Sequence, residues 1–247
     1  MAEPRHLKKA PIREALIDVR VRLPEGFDAQ VFLGAKSDLV GRYPDVQERS
    51  ETDTWVKLGP DRPEIGGGQT RTKGFFFKSG DGLTIAQFRI DGFTFNRLKP
   101  YTSWPQIFRE AREAWDLYRK TTGPEPITRV AVRYINDLVI PAPLTGVSSY
   151  LATPLPFPRD YPGKVAKFFT TIVLQDEDRQ VSANVSQTFA QGLNEKRSKV
   201  VLDIDAYRQE AFEDDNAEAW KTFEALHAAK NEIFFGSITE EMVRLLE

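Results

Sequence analysis

Three predicted strands carry charged side chains on one face, two or four residues apart, and these residues are the clearest candidates for a chemical site. Side chains at positions i and i+2 lie on the same face of a strand, roughly 7 Å apart. If the three strands are neighbours, their arginines and carboxylates converge on one face of a sheet. The candidate ligand-binding residues are Arg20, Arg22, Arg129, Arg133, Asp203 and Asp205.

Three interpretations of this pattern stay open. Arginine guanidinium groups bind phosphate or carboxylate through paired hydrogen bonds. Alternatively, Asp203 and Asp205 could hold a hard divalent metal ion. Alternating charges are also typical of an antiparallel sheet whose outer face is solvated. An isolated Asp-x-Asp pair is a weak metal signal, so we assign neither a metal site nor a cofactor.

Several kinds of chemistry are excluded by the residue types. The chain has no cysteine, which removes thiol catalysis, thiolate zinc sites and iron–sulfur clusters. Only two histidines are present, His6 and His227, and we interpret His227 as structural because it follows Leu226 in a predicted helix. The run Gly66-Gly67-Gly68 lacks the lysine and hydroxyl residue of a phosphate loop, and we predict a surface loop over residues 59–69.

Hydrophobic periodicity predicts the elements that position these residues. Period-two alternation predicts strands over 12–23, 46–58, 70–78, 83–90, 93–98, 127–140, 165–174, 181–190 and 199–207. Helical spacing predicts helices over 27–43, 103–123, 216–235 and 239–246. Asp28 is the predicted cap of the first helix.

The same order of elements occurs twice along the chain. Residues 1–126 and residues 127–247 each give a strand, a helical or irregular segment, three strands and a helix. We therefore predict an α+β fold of antiparallel sheets flanked by helices, with an internal duplication of this unit and the two halves packed as one compact body.

Composition limits the partners. The 247 residues carry a net charge of −2, so we do not expect nucleic acid as a partner. No run approaches the roughly 20 apolar residues that span a membrane, and residues 1–9 lack the apolar core of a signal peptide. We expect a cytoplasmic protein that binds a protein partner or forms a homo-oligomer.

Five segments together resemble one known family. They read PIREALIDVRV, FNRLKPYTSW, RVAVRYIN, LDID and LHAAKNEIFFGSIT, and they run from Pro11 to about Met242. They are similar to a sporadically distributed family of uncharacterised bacterial proteins of about this length. The motif residues are Arg20, Asn96, Arg97, Pro100, Tyr101, Trp104, Arg133, Tyr134, Asn136, Asp203, Asp205, His227 and Asn231.

The resemblance implies no catalytic residues, because none is established for that family. Its patchy distribution implies horizontally moved genes, such as phage-defence or toxin–antitoxin loci. Without a catalytic cluster, the expected function is a non-enzymatic binding or interaction protein. The alternative is a metal-dependent phosphohydrolase or nuclease that uses Asp203 and Asp205, so whether the protein is an enzyme stays open.

Overall fold

A computed structural model describes residues 2–3, 5–57, 62, 64–123, 125–141, 147–152, 166–190, 197–212 and 216–247. The described strands are β1 (Ile12–Val21), β2 (Asp45–Lys57), β3 (Glu64–Lys78), β4 (Thr84–Arg89), β5 (Gly92–Leu98), β6 (Ile127–Pro141), β7 (Lys167–Asp176), β8 (Val181–Ala190) and β9 (Arg197–Arg208). The described helices are α1 (Lys36–Leu39), α2 (Trp104–Thr122), α3 (Val147–Tyr150), α4 (Asn216–Ser237) and α5 (Glu240–Leu246).

The described strands form one antiparallel sheet in the order β2-β3-β4-β5-β1-β6-β9-β8-β7. The first strands of the two halves, β1 and β6, pair at its centre, with Ile17 opposite Val132. On the outer side of each lies the last strand of its own half, β5 beside β1 and β9 beside β6. One continuous sheet therefore joins the halves, where the sequence predicted sheets in the plural.

The two long helices pack against opposite halves of this sheet. Helix α2 contacts β4 and β5, while α4 contacts β6, β8 and β9. Alternation along the central strands separates the core from the polar face: Ile17 and Val19 are fully buried, and Asp18 between them is directed to the other side. The helices thus cover the apolar face and leave the alternating charges on the opposite one.

At this level the predicted α+β architecture is confirmed, since antiparallel strands and helices occur in the expected order. The division at residues 126 and 127 falls between α2 and β6. Each half ends its strands with a long helix, α2 after β5 and α4 after β9. Four described strands, β2 to β5, lie between β1 and α2, so the first half has one strand more than the predicted unit of three, while β7 to β9 match it. A duplication as the origin of this arrangement stays a prediction.

The helix predicted over 27–43 is wrong in type and length. A 3₁₀ helix spans Ala29–Ala35, and only the four residues of α1 follow it in α-helical form. Its buried residues Ala29, Phe32 and Ala35 recur every three positions, which is the repeat that lines up one face of a 3₁₀ helix. The predicted cap is confirmed, because the Asp28 side chain accepts a hydrogen bond from the Gln30 amide at 2.9 Å.

The loop predicted over 59–69 is also partly wrong. Gly66 and Gly67 lie within β3 and pair with Trp55 and Thr54 of β2. The hydrogen bonds between neighbouring strands use backbone groups alone. Glycines can therefore continue β3, because the backbone of β2 pairs with them. Residues 58–61 and 63, to which part of this prediction refers, lie outside the described residues.

Helix length and hydropathy also bear on membranes. None of the helices among the described residues is both long enough and apolar enough to cross a membrane.

Candidate functional site

The structure brings five of the six predicted ligand-binding residues onto one face of the sheet. Arg20 on β1 lies opposite Arg129 on β6, and Arg133 lies opposite Asp205 on β9. Asp203 lies two positions before Asp205 on β9, on the same face. We call these five residues, together with Asp18, Arg89, Asp91 and Thr94, the polar cluster. All of them except Asp91 and Asp203 line a cavity of about 380 Å³.

Asp18 is the centre of the polar cluster. Its carboxylate accepts hydrogen bonds from Thr94 at 2.6 Å, Arg20 at 3.0 Å and Arg89 at 3.1 Å. Arg129 adds a longer one at 3.4 Å. Burial alone would raise the pKa of Asp18, but the charges of the three arginines and the Thr94 hydrogen bond outweigh it and lower that pKa.

The two carboxylates of the Asp-x-Asp pair are also bound by arginines. Arg133 donates two hydrogen bonds to Asp203, at 2.9 and 2.6 Å. Arg129 donates one to Asp205 at 2.7 Å. Among the described residues, no group of three or more His, Cys, Asp or Glu side chains could hold a metal ion. The carboxylates therefore serve as partners of arginines, and this geometry gives the metal hypothesis no support.

Arg22 does not join the polar cluster. β1 ends at Val21, and its pairing with β6 changes register between Arg20 and Val21. The two-residue alternation stops at such an irregularity, so the Arg22 side chain lies exposed beyond the strand. The prediction extended the strand by two residues, and the error follows from that.

Sequence reasoning missed Arg89 and Thr94, which complete the shell around Asp18. Arg89 and Gln87 both line the cavity from β4, and Thr94 lies directly opposite Asp18 on β5. The signal was present as two polar residues at i and i+2 in the apolar stretch TIAQFRI. Four arginines and four carboxylates meet in the polar cluster as described, so its charges balance without a ligand.

A second and larger cavity lies at the end of the sheet where β1 begins, and we call it the basic cavity. Its volume is about 1030 Å³, which is ample for a small molecule. Its described lining is Arg5, His6, Leu7, Lys8, Lys9, Ala10, Pro11, Ile12, Arg13, Lys99, Pro100, Tyr101, Thr102, Tyr134, Asn136, Asp137, Val139, Lys199, His227, Lys230, Asn231, Phe234, Phe235, Leu245 and Leu246.

Four of the five motif segments contribute to this lining. PIREA opens β1, KPYT leads into α2, and Tyr134 and Asn136 come from β6. His227, Lys230 and Asn231 project from the second half of α4. The fifth segment, LDID, supplies the polar cluster instead. None of the four segments was assigned to a cavity from the sequence, because no local pattern shows that they meet.

Positive charge dominates the described lining of the basic cavity. The lining contains seven lysine and arginine side chains and a single carboxylate, that of Asp137. Arg13 and Lys199 pair with Asp137, and Arg5 pairs with Glu240. Lys8, Lys9, Lys99 and Lys230 form no ion pair with any described residue. Unlike the polar cluster, this cavity therefore holds cationic groups that no carboxylate of the described chain neutralises.

Aromatic side chains and hydrogen bonds fix the inner wall. The hydroxyl groups of Tyr101 and Tyr134 lie 3.1 Å apart in a hydrogen bond. Trp104 stacks on His227 with ring centroids 4.2 Å apart, and its indole N–H donates to Glu224 at 3.0 Å. These contacts tie the start of α2 to α4, so the side chains of the wall are held in place.

Lys230 is the most deeply placed charge of the basic cavity. Only 6% of the residue is exposed, and its Nζ lies 3.6 Å from the centroid of the Tyr134 ring. The ammonium donates a hydrogen bond to Asn231 Oδ1 at 2.6 Å. Burial lowers the pKa of Lys230 to about 7. One turn earlier, burial and then the charge of Lys230 lower the pKa of His227 to about 3, so that ring is neutral near pH 7.

Comparisons with known proteins leave the sequence resemblance as it was. A scan against protein-family models finds no match, and no curated protein is significantly similar in sequence. Membership of the bacterial family therefore stays a prediction, carried by the five motif segments alone.

Proposed function

We propose that this protein binds a small anionic ligand, a phosphate or carboxylate compound, in the basic cavity. The observation that carries the proposal is a cavity of about 1030 Å³ whose described lining holds seven cationic side chains and one carboxylate. Four of those cations have no carboxylate partner among the described residues. Of these four, Lys230 is buried, while Lys8, Lys9 and Lys99 are exposed. A bound anion would pair with them, and ion pairs in a partly enclosed site are screened less than those on the surface.

The polar cluster is the weaker candidate for such a ligand. Each of its arginines already binds a carboxylate, with distances such as 2.7 Å for Arg129 and Asp205. An incoming anion would have to displace those carboxylates and leave them buried near it. We therefore assign the polar cluster to the stability of the sheet and the basic cavity to ligand binding.

This function is of the binding class that the lack of a catalytic cluster favours. In the defence or toxin–antitoxin setting that the family resemblance suggests, a component that binds a small anion would act as a sensor. The metal-dependent hydrolase is not proposed, because Asp203 and Asp205 are engaged by arginines.

Calorimetric titration with pyrophosphate and with citrate tests the proposal. We expect saturable binding of at least one of them, weaker in 300 mM salt than in 50 mM because mobile ions screen the charges. The double variant Lys9→Met, Lys99→Met should lose at least about tenfold in affinity, since a single charge-assisted hydrogen bond contributes roughly 1.5–3 kcal/mol.

A matched control removes the same charge elsewhere. Lys36 on α1 and Lys221 at the start of α4 are exposed and do not line the basic cavity. The variant Lys36→Met, Lys221→Met should bind as the wild type does. Equal losses in both double variants would mean that net charge alone drives binding, and the proposal would be wrong.

A separate observation favours a second copy of the chain as a partner. In the described part of the chain, the edge strand β7 pairs with β8 alone. It exposes Phe169 at 64% and Val173 at 60%, and exposed apolar edge strands are prone to pair with another strand. Its Lys167 and Asp176 stand at opposite ends, so antiparallel pairing of two copies would place unlike charges together.

We therefore propose self-association through β7, and sedimentation velocity tests it. The wild type should form a dimer, and Val173→Lys should shift it toward the monomer. Val31, which is 45% exposed on the 3₁₀ helix, provides the control: Val31→Lys should leave the dimer intact. A wild type that stays monomeric at high concentration would contradict the proposal.

A further inference from the structure

Lys230 is buried in the basic cavity without a counter-charge. No carboxylate of the described residues forms an ion pair with it, and its contacts are the Asn231 side chain at 2.6 Å and the face of the Tyr134 ring at 3.6 Å. Buried lysines are rare unless they are paired, because moving an ammonium group out of water is costly. Neither contact supplies a negative charge, so the packing of the fold alone does not account for a lysine here.

The groups around Lys230 suit proton transfer. The hydroxyl groups of Tyr101 and Tyr134 line the same cavity and are hydrogen-bonded to each other at 3.1 Å. His227 lies three residues earlier on α4, on the same side of the helix. A reactive amine, two hydroxyl groups and a neutral imidazole thus share one wall.

We propose that Lys230 is a nucleophile and that the ligand of the basic cavity is an aldehyde or ketone that also carries an anionic group. This inference rests on the anion-binding function proposed above. Lys99 and Lys9, which line the cavity and are exposed, would hold the anionic group, while the carbonyl carbon reaches the amine. A 2-oxo acid or a phosphorylated aldehyde has this combination of groups.

The reaction balances without an oxidant or a reductant. The lone pair of the neutral Lys230 amine attacks the carbonyl carbon, and a proton moves from nitrogen to the former carbonyl oxygen, giving a carbinolamine. Loss of water from the carbinolamine then gives an imine between Lys230 and the ligand. The tyrosine hydroxyl groups are available to donate and recover the proton that leaves with the water.

The titration of Lys230 is consistent with this role. Its pKa of about 7 leaves about half of the amine neutral at pH 7, against about one in a few thousand for an ordinary lysine. Burial of a lysine in an apolar wall is one of the recognised ways of activating its amine.

Trapping with glyoxylate and sodium cyanoborohydride at pH 7 tests the proposal on the wild-type protein. Glyoxylate is the smallest aldehyde with a carboxylate, and reduction of its imine leaves a carboxymethyl group on the lysine. Peptide mapping by mass spectrometry should find Lys230 labelled at least about tenfold faster than Lys221, because far more of its amine is neutral. Labelling of Lys230 no faster than Lys221 would overturn the proposal.

Two further measurements separate this inference from the function on which it rests. Lys230→Met should lose the fast label and keep the slow labelling of the other lysines. If pyrophosphate or citrate binds but Lys230 is not selectively labelled, the imine is wrong and anion binding stands. If Lys230 is selectively labelled but neither anion binds, the proposed function and the anionic half of this inference are wrong.

Discussion

At the scale of single residues, the two charged sites differ in whether burial is matched by a counter-charge. Asp18 is surrounded by donors, three of them arginines, and its side chain is 13% exposed. Removing one partner of such a group leaves the others buried without a counter-charge. The polar cluster should therefore matter more for stability than surface ion pairs do.

We expect Asp18→Asn to lower the free energy of unfolding by about 3 kcal/mol at pH 7. Because the folded-state pKa of Asp18 is lowered, its contribution is present above the ordinary value and is lost as the pH falls through the folded-state pKa. The difference between the variant and the wild type should thus shrink below pH 3.8. Urea denaturation at pH 7 and pH 3 measures it.

The control for this variant is Asp116→Asn. Asp116 pairs with Arg112 on the exposed side of α2 at 3.7 Å, and its side chain is 60% exposed. Such surface pairs contribute about 0–1 kcal/mol, so a loss like that of Asp18→Asn would show that the cluster has no special role.

Lys230 should have the opposite effect on stability. Its folded-state pKa of about 7 lies below the ordinary value of 10.5, so the unfolded chain binds more protons between these two values. Stability from this group therefore rises as the pH increases from 7 to 10.5 and is lowest below pH 7. Lys230→Met removes the cost, and we expect it to stabilise the fold by about 4 kcal/mol at pH 7, since each unit of pKa shift corresponds to about 1.4 kcal/mol.

The gain from Lys230→Met should fade toward pH 10.5, because the amine of the unfolded chain then also loses its proton. Denaturation curves of the variant and the wild type at pH 7 and pH 10 show whether the stability gain of the variant is larger at pH 7, as expected. A variant that is less stable at pH 7 and unchanged in its pH dependence would mean that Lys230 is a charged structural residue with an unseen partner.

Residue type alone could predict the polar cluster but not the basic cavity. The alternation of charges along β1, β6 and β9 was enough to place Arg129 and Asp205 on one face, since the period of a strand is two. Lys230 gave a weaker signal: it lies seven residues after Phe223 and four before Phe234, both buried on α4, so it belongs to the buried stripe. Because lysines are mostly exposed, residue type alone does not indicate that this one is buried.

At the scale of elements, β5 depends on a glycine at its start. Gly92 has φ +143°, and a Cβ there would lie 2.1 Å from the carbonyl oxygen of Val19 on β1. The close approach brings β5 against β1 next to the polar cluster, with Gly92 opposite Arg20. Glycine is needed because it has no Cβ and tolerates positive φ.

We expect Gly92→Ala to cost about 3 kcal/mol or more, since the clash is with backbone and the conformation is strained for alanine. Gly34, which has open space around its Cβ position and no positive φ, is the control. Gly34→Ala should change the unfolding free energy by less than about 1 kcal/mol. Thermal denaturation of both variants checks this, and equal melting temperatures for the two would contradict it.

Strands other than β3 were predictable to within about two residues at each end, whereas the weak helical segment was not. Regular alternation extends over β6, β8 and β9, and each is found where it was expected. In residues 27–43 the buried positions are three residues apart at the start and four residues apart later. Both spacings fit a helical pattern, so the sequence does not distinguish a 3₁₀ helix from an α-helix here. Pairing across the β2–β3 hairpin is a long-range property, and this is why the glycines of β3 were assigned to a loop.

At the scale of the whole molecule, the sheet separates two surfaces with different electrostatic character. The open face carries the charge-balanced polar cluster, and the basic cavity at the start of β1 carries an excess of cations. Element order predicted that the halves combine into one body, but not that the N-terminal segment reaches the last helix. That contact, with the Lys9 amide donating to the Leu246 carbonyl at 2.9 Å, joins the two ends of the chain beside the cavity.

Hydrogen exchange with and without the anion that binds in the calorimetric titration tests anion binding in the basic cavity most directly, because it locates the ligand. Protection should appear in residues 5–13, 99–102 and 227–235, the segments that contribute the lining, and should be absent from β8 and from the Asp18–Arg20 stretch. Protection centred on Asp18, Arg89 and Asp205 instead, or none at a saturating concentration of the anion, would contradict it.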